Sequence, residues 1–379
     1  MYSLHQFGYM ILDHVRTEAF VDALRHAVKP GDVVLDIGAG TGIFSLIACQ
    51  LGASKVYAIE ANPLIELGPD IAAANGFADK IVFMHDLSTN VTLPEKADVL
   101  IADLRGQLPL FNGNIISMAD ARRRLLKPGG IIIPSRDRIY ATLISSPDMY
   151  RRHLQMPWLV NAYDLDMSAA HSLLLNTGIQ SREEAIEFLL SPQEWVTIDY
   201  SEREDPSASG TLEWQVTNAG KSEFVCLWFD SEFPNGGCFS TAPQSKSAEV
   251  YGYAILPLER PIELEPGDHV KLTINANHIN GSYQFMWSTR VVAGDKVKAD
   301  FSQGTFFAQL FSDLRKRASD YVPQANHQAR ILKFVLDAME EGISIKAIAA
   351  KLQTAFPEDY PELSDTIAKV GDISASFSQ

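Results

Sequence analysis

Asp36, Gly38, Gly40, Thr41, Gly42 and Glu60 are the densest group of residues whose types and spacing suit chemistry. In Val34-Leu35-Asp36-Ile37-Gly38-Ala39-Gly40-Thr41-Gly42 an apolar run ends in three glycines at alternate positions and leads into a helical pattern. Glycines let a backbone turn sharply and approach a ligand where a Cβ would clash. Dinucleotide-binding turns place their third glycine further along, so that a pyrophosphate rests on the helix N-terminus. The tighter spacing here, preceded by Asp36, suits a zwitterionic amino-acid tail better than a diphosphate. Glu60 lies 18 positions after Gly42 at the end of a second apolar run, with Ala61 beside it. A carboxylate there can accept hydrogen bonds from both ribose hydroxyls. These residues imply a nucleoside cofactor that carries an amino acid. Asp86, beyond a third apolar run, either approaches the adenine or is an aspartate of a surface loop.

Such a loop needs a strand before it and a helix after it. From 33 to 139, short apolar runs alternate with helix-like segments, the mark of strands joined by right-handed crossovers in a parallel sheet. Strands are expected at 33–37, 55–59, 81–83, 99–102 and 131–134, and helices at 41–50, 63–75 and 115–126. The last helix should stop at Lys127-Pro128-Gly129-Gly130. Beyond about 138, β-branched and aromatic runs at 223–229, 250–256, 269–274 and 283–287, separated by Gly, Pro and Asn, predict an antiparallel sheet or barrel. The spacing of Ala185, Phe188 and Leu189 predicts a helical arm over about 149–191. From 301 onward the periodicity is helical, with Ile331, Val335 and Leu336 on one face and a further helix at 345–352. The expected class is α/β: a Rossmann-like domain over 1–137, an antiparallel β-barrel domain with its helical arm over 138–310, and a helical extension over 311–379.

At 379 residues the chain is long enough for two or three domains. Its 46% hydrophobic and 21% charged residues are those of a folded globular protein. A formal net charge of -15 disfavours a phosphate-tracking surface, so nucleic acid is not an expected partner. Cys49, Cys226 and Cys238 are too few and too widely spaced for a disulfide framework or a zinc site, and His85, His269 and His278 lack ligand spacing. No metal is expected. The first 16 residues have no signal-peptide pattern, and no apolar window suits a membrane span. Cytoplasmic residence is the simplest expectation.

The residues flanking the glycine loop resemble the protein arginine methyltransferase family over about 4–300. Met10-Ile11-Leu12-Asp13-His14-Val15-Arg16-Thr17 is similar to the helix that closes over the cofactor in that family. Tyr163-Asp164-Leu165-Asp166-Met167-Ser168 resembles the lead into its dimerisation arm. Cys226-Leu227-Trp228-Phe229-Asp230 and Phe239-Ser240-Thr241-Ala242-Pro243 look like its barrel strands. The resemblance implies a class I methyltransferase fold, S-adenosylmethionine as cofactor, a homodimer, and Arg16 paired with the methionyl carboxylate, which a guanidinium meets bidentately. The segment before Phe7-Gly8 is shorter than in the family, which implies an abbreviated lid.

The departures fall where the family holds its substrate. Its two hairpin glutamates correspond to Asp103 and Asn112 in Ala102-Asp103-Leu104-Arg105-Gly106-Gln107-Leu108-Pro109-Leu110-Phe111-Asn112. A neutral asparagine gives up a charge-assisted contact worth about 1.5–3 kcal/mol. Arg105 adds a positive charge in the same loop. The threonine-histidine-tryptophan loop of the family is replaced by Ala248-Glu249-Val250-Tyr251, where Glu249 can supply a carboxylate and Tyr251 either lines the pocket or packs. Asp103, Asn112, Glu249 and Tyr251 are therefore the candidate catalytic residues. Arg16, Asp36, Gly38, Gly40, Thr41, Gly42, Glu60, Ala61, Asp86 and Asp103 are the candidate cofactor residues. The expected activity is N-methylation of an arginine-like or other nitrogen acceptor, in a peptide or a small molecule. Methylation of oxygen or another nucleophile, and a cofactor-binding scaffold without catalysis, are the alternatives. Residues 332–375 faintly resemble small winged-helix modules that bind precursor peptides, or form a helical cap.

Overall fold

The computed structural model describes residues 2–161, 163–182, 185–243, 250–306 and 322–378. Two helices lead in. The first, α1 (Leu4–Leu12), starts with a capping box between Ser3 and Gln6, and the second, α2 (His14–Ala27), is capped by Asp13. A parallel sheet follows, made of β1 (Val33–Ile37), β2 (Lys55–Glu60), β3 (Ile81–His85), β4 (Ala97–Ala102) and β5 (Leu126–Ile133), in the order β3-β2-β1-β4-β5. All five residues of β1 are buried, as a strand covered on both faces must be. Between strands run α3 (Ile43–Gln50), a 3-10 turn (Pro63–Leu67) with α4 (Gly68–Ala74), and α5 (Asn114–Arg124).

The chain order reverses between β1 and β4, whose ends are level, with Ile37 opposite Ala102. Open α/β sheets bind ligands in the crevice beyond the carboxyl ends of strands at such a switch point. The expected stop at 127–130 is instead strand. Gly129 has a φ of +77° and the β4–β5 register shifts between Ala97 and Val99, so these residues form an irregularity within β5 rather than a break before it.

Antiparallel strands make up the barrel domain. Long β11 (Gly220–Glu232) pairs with β6 (Arg136–Ser145) on one side and β13 (Tyr253–Leu264) on the other. The same sheet takes in β7 (Ile179–Ser181), β8 (Glu187–Phe188), β9 (Gln193–Asp199) and β12 (Cys238–Ser240). A four-stranded sheet holds β10 (Ala208–Gln215), β14 (His269–Ile279), β15 (Ser282–Ala293) and β16 (Lys296–Gly304). Buried Trp287 on β15 ties the two sheets together, its indole N–H donating to Pro257 O at 3.0 Å. Strand continues through Phe301, where helix was expected, because β16 completes the pairing of β15.

The helical arm is corrected too. Among the described residues only α6 (Pro147–Tyr150), a π turn (Arg151–Gln155), a 3-10 turn (Ser168–Ala170) and α7 (His171–Leu174) are helical there. Pro157 has no N–H to continue a helix. Phe188, read as part of a helical face, lies in β8 opposite Ile144 and stacks on Trp228 with centroids 5.3 Å apart.

The chain divides into two compact units, Met1–Gln309 and Leu310–Gln379. Among its described residues the second unit has α8 (His327–Met339), α9 (Ile345–Ala355) and α10 (Leu363–Phe377). These close on a core of their own that includes Ile331, Val335, Ile348, Leu352 and Val370. Asn326 and Ser344 cap α8 and α9.

Candidate functional site

The glycine loop emerges from β1 at the switch point. Gly38, Gly40 and Gly42 have φ values of +74°, +56° and +91°, which side chains with a Cβ rarely adopt. The N–H groups of Gly38 and Ala39 donate to Ile59 O at 2.8 and 3.2 Å, stitching the turn to β2. Glu60 completes the stitch, accepting from the Gly40 N–H at 3.0 Å and the Asn62 N–H at 2.8 Å. Asp36 is buried beneath the loop and accepts from Ser45 Oγ at 2.7 Å, joining β1 to α3. Burial first, then the charge of Glu60, push its carboxyl up to about 7 against the opposing bond from Ser45.

Helix α1 lies across this turn. A Cβ on Gly40 would stand 2.8 Å from the Phe7 ring, and one on Gly38 would stand 2.6 Å from Leu104, beyond β4. Asn62 Nδ2 donates to Tyr2 O at 2.8 Å, fastening the N-terminal segment to the end of β2. The Tyr2 phenol is raised from its ordinary pKa by burial and then by the Asp103 and Glu60 carboxylates, and its ring stands edge-on to Phe7.

Across the crevice, Asp103 is the centre of a buried polar cluster. Its Oδ2 accepts from Arg16 Nε at 2.6 Å and from the Tyr251 hydroxyl at 2.6 Å, and its Oδ1 accepts from Arg105 Nε at 3.0 Å. Burial alone would raise this carboxyl. The guanidiniums of Arg105 and Arg16, with the bonds from Tyr251 and Arg16, outweigh burial and hold it at about 2. Arg16 also donates to Met10 O at 3.1 Å, and its guanidinium lies 5.3 Å from the centroid of Phe44. Asp13 does double duty, accepting from the Arg16 N–H at 3.0 Å and the Val250 N–H at 2.9 Å, so it fixes the α1–α2 corner against the segment bearing Tyr251.

Of the candidates read from the sequence, the structure brings Gly38, Gly40, Gly42 and Glu60 together on one side of the switch point, and Arg16, Asp103 and Tyr251 on the other. Thr41 and Ala61 sit at the loop's edges, partly buried and exposed respectively. Asp86 is exposed and accepts from the Leu87 N–H at 2.7 Å and Asn90 Nδ2 at 2.8 Å, holding its own turn. Asn112 is exposed at a φ of +43° and has no described bond into the Asp103 cluster. Glu249 lies outside the described residues.

Sequence reasoning missed Asp137, Ser231 and Tyr200. Asp137 is fully buried on β6, accepting from Arg105 Nη1 at 2.9 Å and the Tyr200 hydroxyl at 2.5 Å. Asp137 stands between Arg136 and Arg138 at the charged start of β6, so nothing in the local sequence sets it apart. Among the described residues no group of three or more His, Cys, Asp or Glu could hold a metal, and no helix is long and apolar enough to cross a membrane.

The arrangement fits a nucleoside that carries an amino acid. A glycine cradle with no room for side chains and a carboxylate at the end of β2 lie on one side of the switch point, and the Arg16 guanidinium of α2, held by Asp103 just beyond β4, lies on the other.

Comparison with known proteins agrees. The family profile described as ribosomal protein L11 methyltransferase matches residues 12–136, and that described as arginine methyltransferase oligomerization subdomain matches residues 135–289. A probable protein arginine N-methyltransferase 6 of Arabidopsis thaliana is 38% identical over 252 residues, 64% of this chain and 57% of the relative, so the chain spans little more than half of that relative's length. The protein arginine N-methyltransferase 6 of Danio rerio is 30% identical over 268 residues, covering 67% of this chain and 76% of that protein. Among solved structures, the Trypanosoma brucei PRMT1 enzyme-prozyme heterotetrameric complex with AdoHcy shares the fold at a TM-score of 0.71 and 21% identity, covering 80% of this chain and 98% of that one. Protein arginine methyltransferase 10 of Arabidopsis thaliana does so at 0.69 and 22%, covering 80% and 97%.

Proposed function

The chain belongs to the protein arginine N-methyltransferase family of S-adenosylmethionine-dependent enzymes, and from that premise we propose that it methylates a nitrogen of a peptide or small molecule in the crevice between the glycine loop and Asp103. The single observation that carries this reading is the convergence of the two halves of the site at the switch point, where Gly38 packs against Leu104. S-adenosylmethionine supplies a methyl group on a sulfonium, an excellent leaving group, so the protein's task is positioning rather than covalent catalysis. Glu60 and the glycine cradle would hold the ribose and the backbone-facing part of the cofactor, and Arg16 would meet its carboxylate. Phe7 bounds the crevice from the α1 side, with Tyr2 edge-on against it.

Asp103 is ionised at neutral pH and engaged by three donors, so its role is to fix Arg16 and Tyr251 rather than to take a proton. The acceptor nitrogen must then arrive with its lone pair free. The exposed Asn112, standing where the family holds a substrate glutamate, supports as a second reading an acceptor atom other than nitrogen. A homodimer belongs to this proposal as well. Met156, Leu159, Val160, Tyr163 and Leu165 project from the arm into solvent, too many large apolar side chains for an unpartnered surface, within the stretch matching the oligomerization subdomain. Cytoplasmic residence is the accompanying proposal, consistent with an exposed free thiol at Cys238.

The test is incubation with labelled S-adenosylmethionine and two acceptor pools, arginine-containing peptides and a small-molecule extract. Label on a nitrogen of either pool supports the reading; label on oxygen alone moves it to the second; no label on either overturns it.

A further inference from the structure

Arg105 is a buried charge that the proposed reaction does not use. It stands two residues past Asp103 with 1% of its side chain exposed. Its Nε–H donates to Asp103 as described. Nη1 donates to Asp137 Oδ1 at 2.9 Å and Ser231 Oγ at 2.6 Å, and Nη2 donates to the Tyr251 hydroxyl at 3.1 Å. Its central carbon lies 5.3–5.4 Å from the ring centroids of Phe20, Phe229, Phe239 and Tyr251. Two carboxylates and four ring faces are what a protein assembles to recognise a guanidinium. Here the guanidinium is its own.

The charges close. Arg16 and Arg105 balance Asp103 and Asp137, so the cluster is neutral before any substrate arrives. A cationic acceptor entering beside Asp103 would meet two fixed guanidiniums and no uncompensated carboxylate in the cluster, and juxtaposed like charges discriminate strongly against a partner.

We propose that Arg105 determines specificity: a guanidinium built into the chain occupies the guanidinium-recognising groups beside the crevice, so guanidinium acceptors are refused and the acceptor is uncharged at its reacting atom. This rests on the methyl-transfer reading above and narrows its substrate class.

The test uses the full chain, as wild type, Arg105→Ala and Arg105→Met, with methylguanidinium chloride as the probe and S-adenosylhomocysteine titrated separately. Wild type loaded with S-adenosylhomocysteine should give no saturable calorimetric heat with methylguanidinium. Arg105→Ala leaves Asp103 and Asp137 short of a cation, and methylguanidinium should raise its thermal midpoint by about 2–4 °C while leaving that of wild type unchanged. Arg105→Met should label an arginine-containing peptide about tenfold faster than wild type. Saturable methylguanidinium binding to wild type, or equal labelling by wild type and Arg105→Met, overturns the proposal. Should both variants fail to fold, the wild-type titration decides by itself, binding against and its absence for. The S-adenosylhomocysteine titration reads the methyl-transfer proposal independently: its failure beside a rescued Arg105→Ala removes that reading and keeps the guanidinium box, whereas intact cofactor binding beside guanidinium uptake by wild type does the reverse.

Discussion

At the scale of single residues, two buried aspartates are driven in opposite directions, and their effects on stability separate by pH. Asp103 is held at about 2, below the ordinary carboxylate value near 3.9, so its ionised form stabilises the fold above about pH 4 and that contribution is lost as pH falls toward 2. Asp36 is raised to about 7 by burial. Its contribution is complete below about pH 4 and disappears as pH rises through 7. Thermal midpoints measured from pH 2 to 8 should therefore fall at both ends. Asp103→Asn should flatten the acid limb below pH 4, and Asp36→Asn should flatten the slope between pH 4 and 7. The glycine loop and Glu60 were legible because their meaning lies in contiguous spacing. Asp137 was not, because its significance depends on strand register, which sets it opposite Ser231 on β11 and Ile198 on β9, with Arg105 donating to both Asp137 and Ser231. Arg105 was noticed as a charge out of place, but apart from Asp103 its partners come from β6 and β11 and from the segment that carries Tyr251, far off in sequence.

At the scale of elements, the parallel sheet followed from alternating apolar runs, and the sites at the ends of β1, β2 and β4 followed from the sheet. The arm did not. Apolar residues three and four apart at 185, 188 and 189 match a helical face, but the Trp228 ring offers Phe188 a stacking partner that only a strand in register with Ile144 reaches. Helix α1 has the opposite history. Phe7-Gly8 were read only as the point before which a lid is abbreviated, and the structure sets the buried Phe7 of α1 against Gly40, where it bounds the crevice. Phe7→Ala should weaken S-adenosylhomocysteine binding by about tenfold, since removing a buried aromatic side chain opens a cavity at the loop and lets water in. Calorimetry checks this, and the parallel sheet, which does not rely on Phe7, should keep its circular dichroism spectrum.

At the scale of the whole molecule, two compact units divide the labour. The first carries the switch-point crevice and the exposed arm; the second builds a separate helical core from α8, α9 and α10. Leu159 and Val160 lie on the arm, 44% and 56% exposed. Light scattering should return the mass of a dimer for the wild type and of a monomer for Leu159→Asp combined with Val160→Asp, because desolvating two new charges would outweigh the apolar area gained. The central claim, that the crevice at the β1–β4 switch point holds S-adenosylmethionine on its glycine loop, is tested most directly by one calorimetric titration of S-adenosylhomocysteine into wild type and Gly40→Ala. Saturable one-site binding to wild type that is lost in Gly40→Ala is the predicted result; no binding to wild type, or equal binding to both, would contradict it.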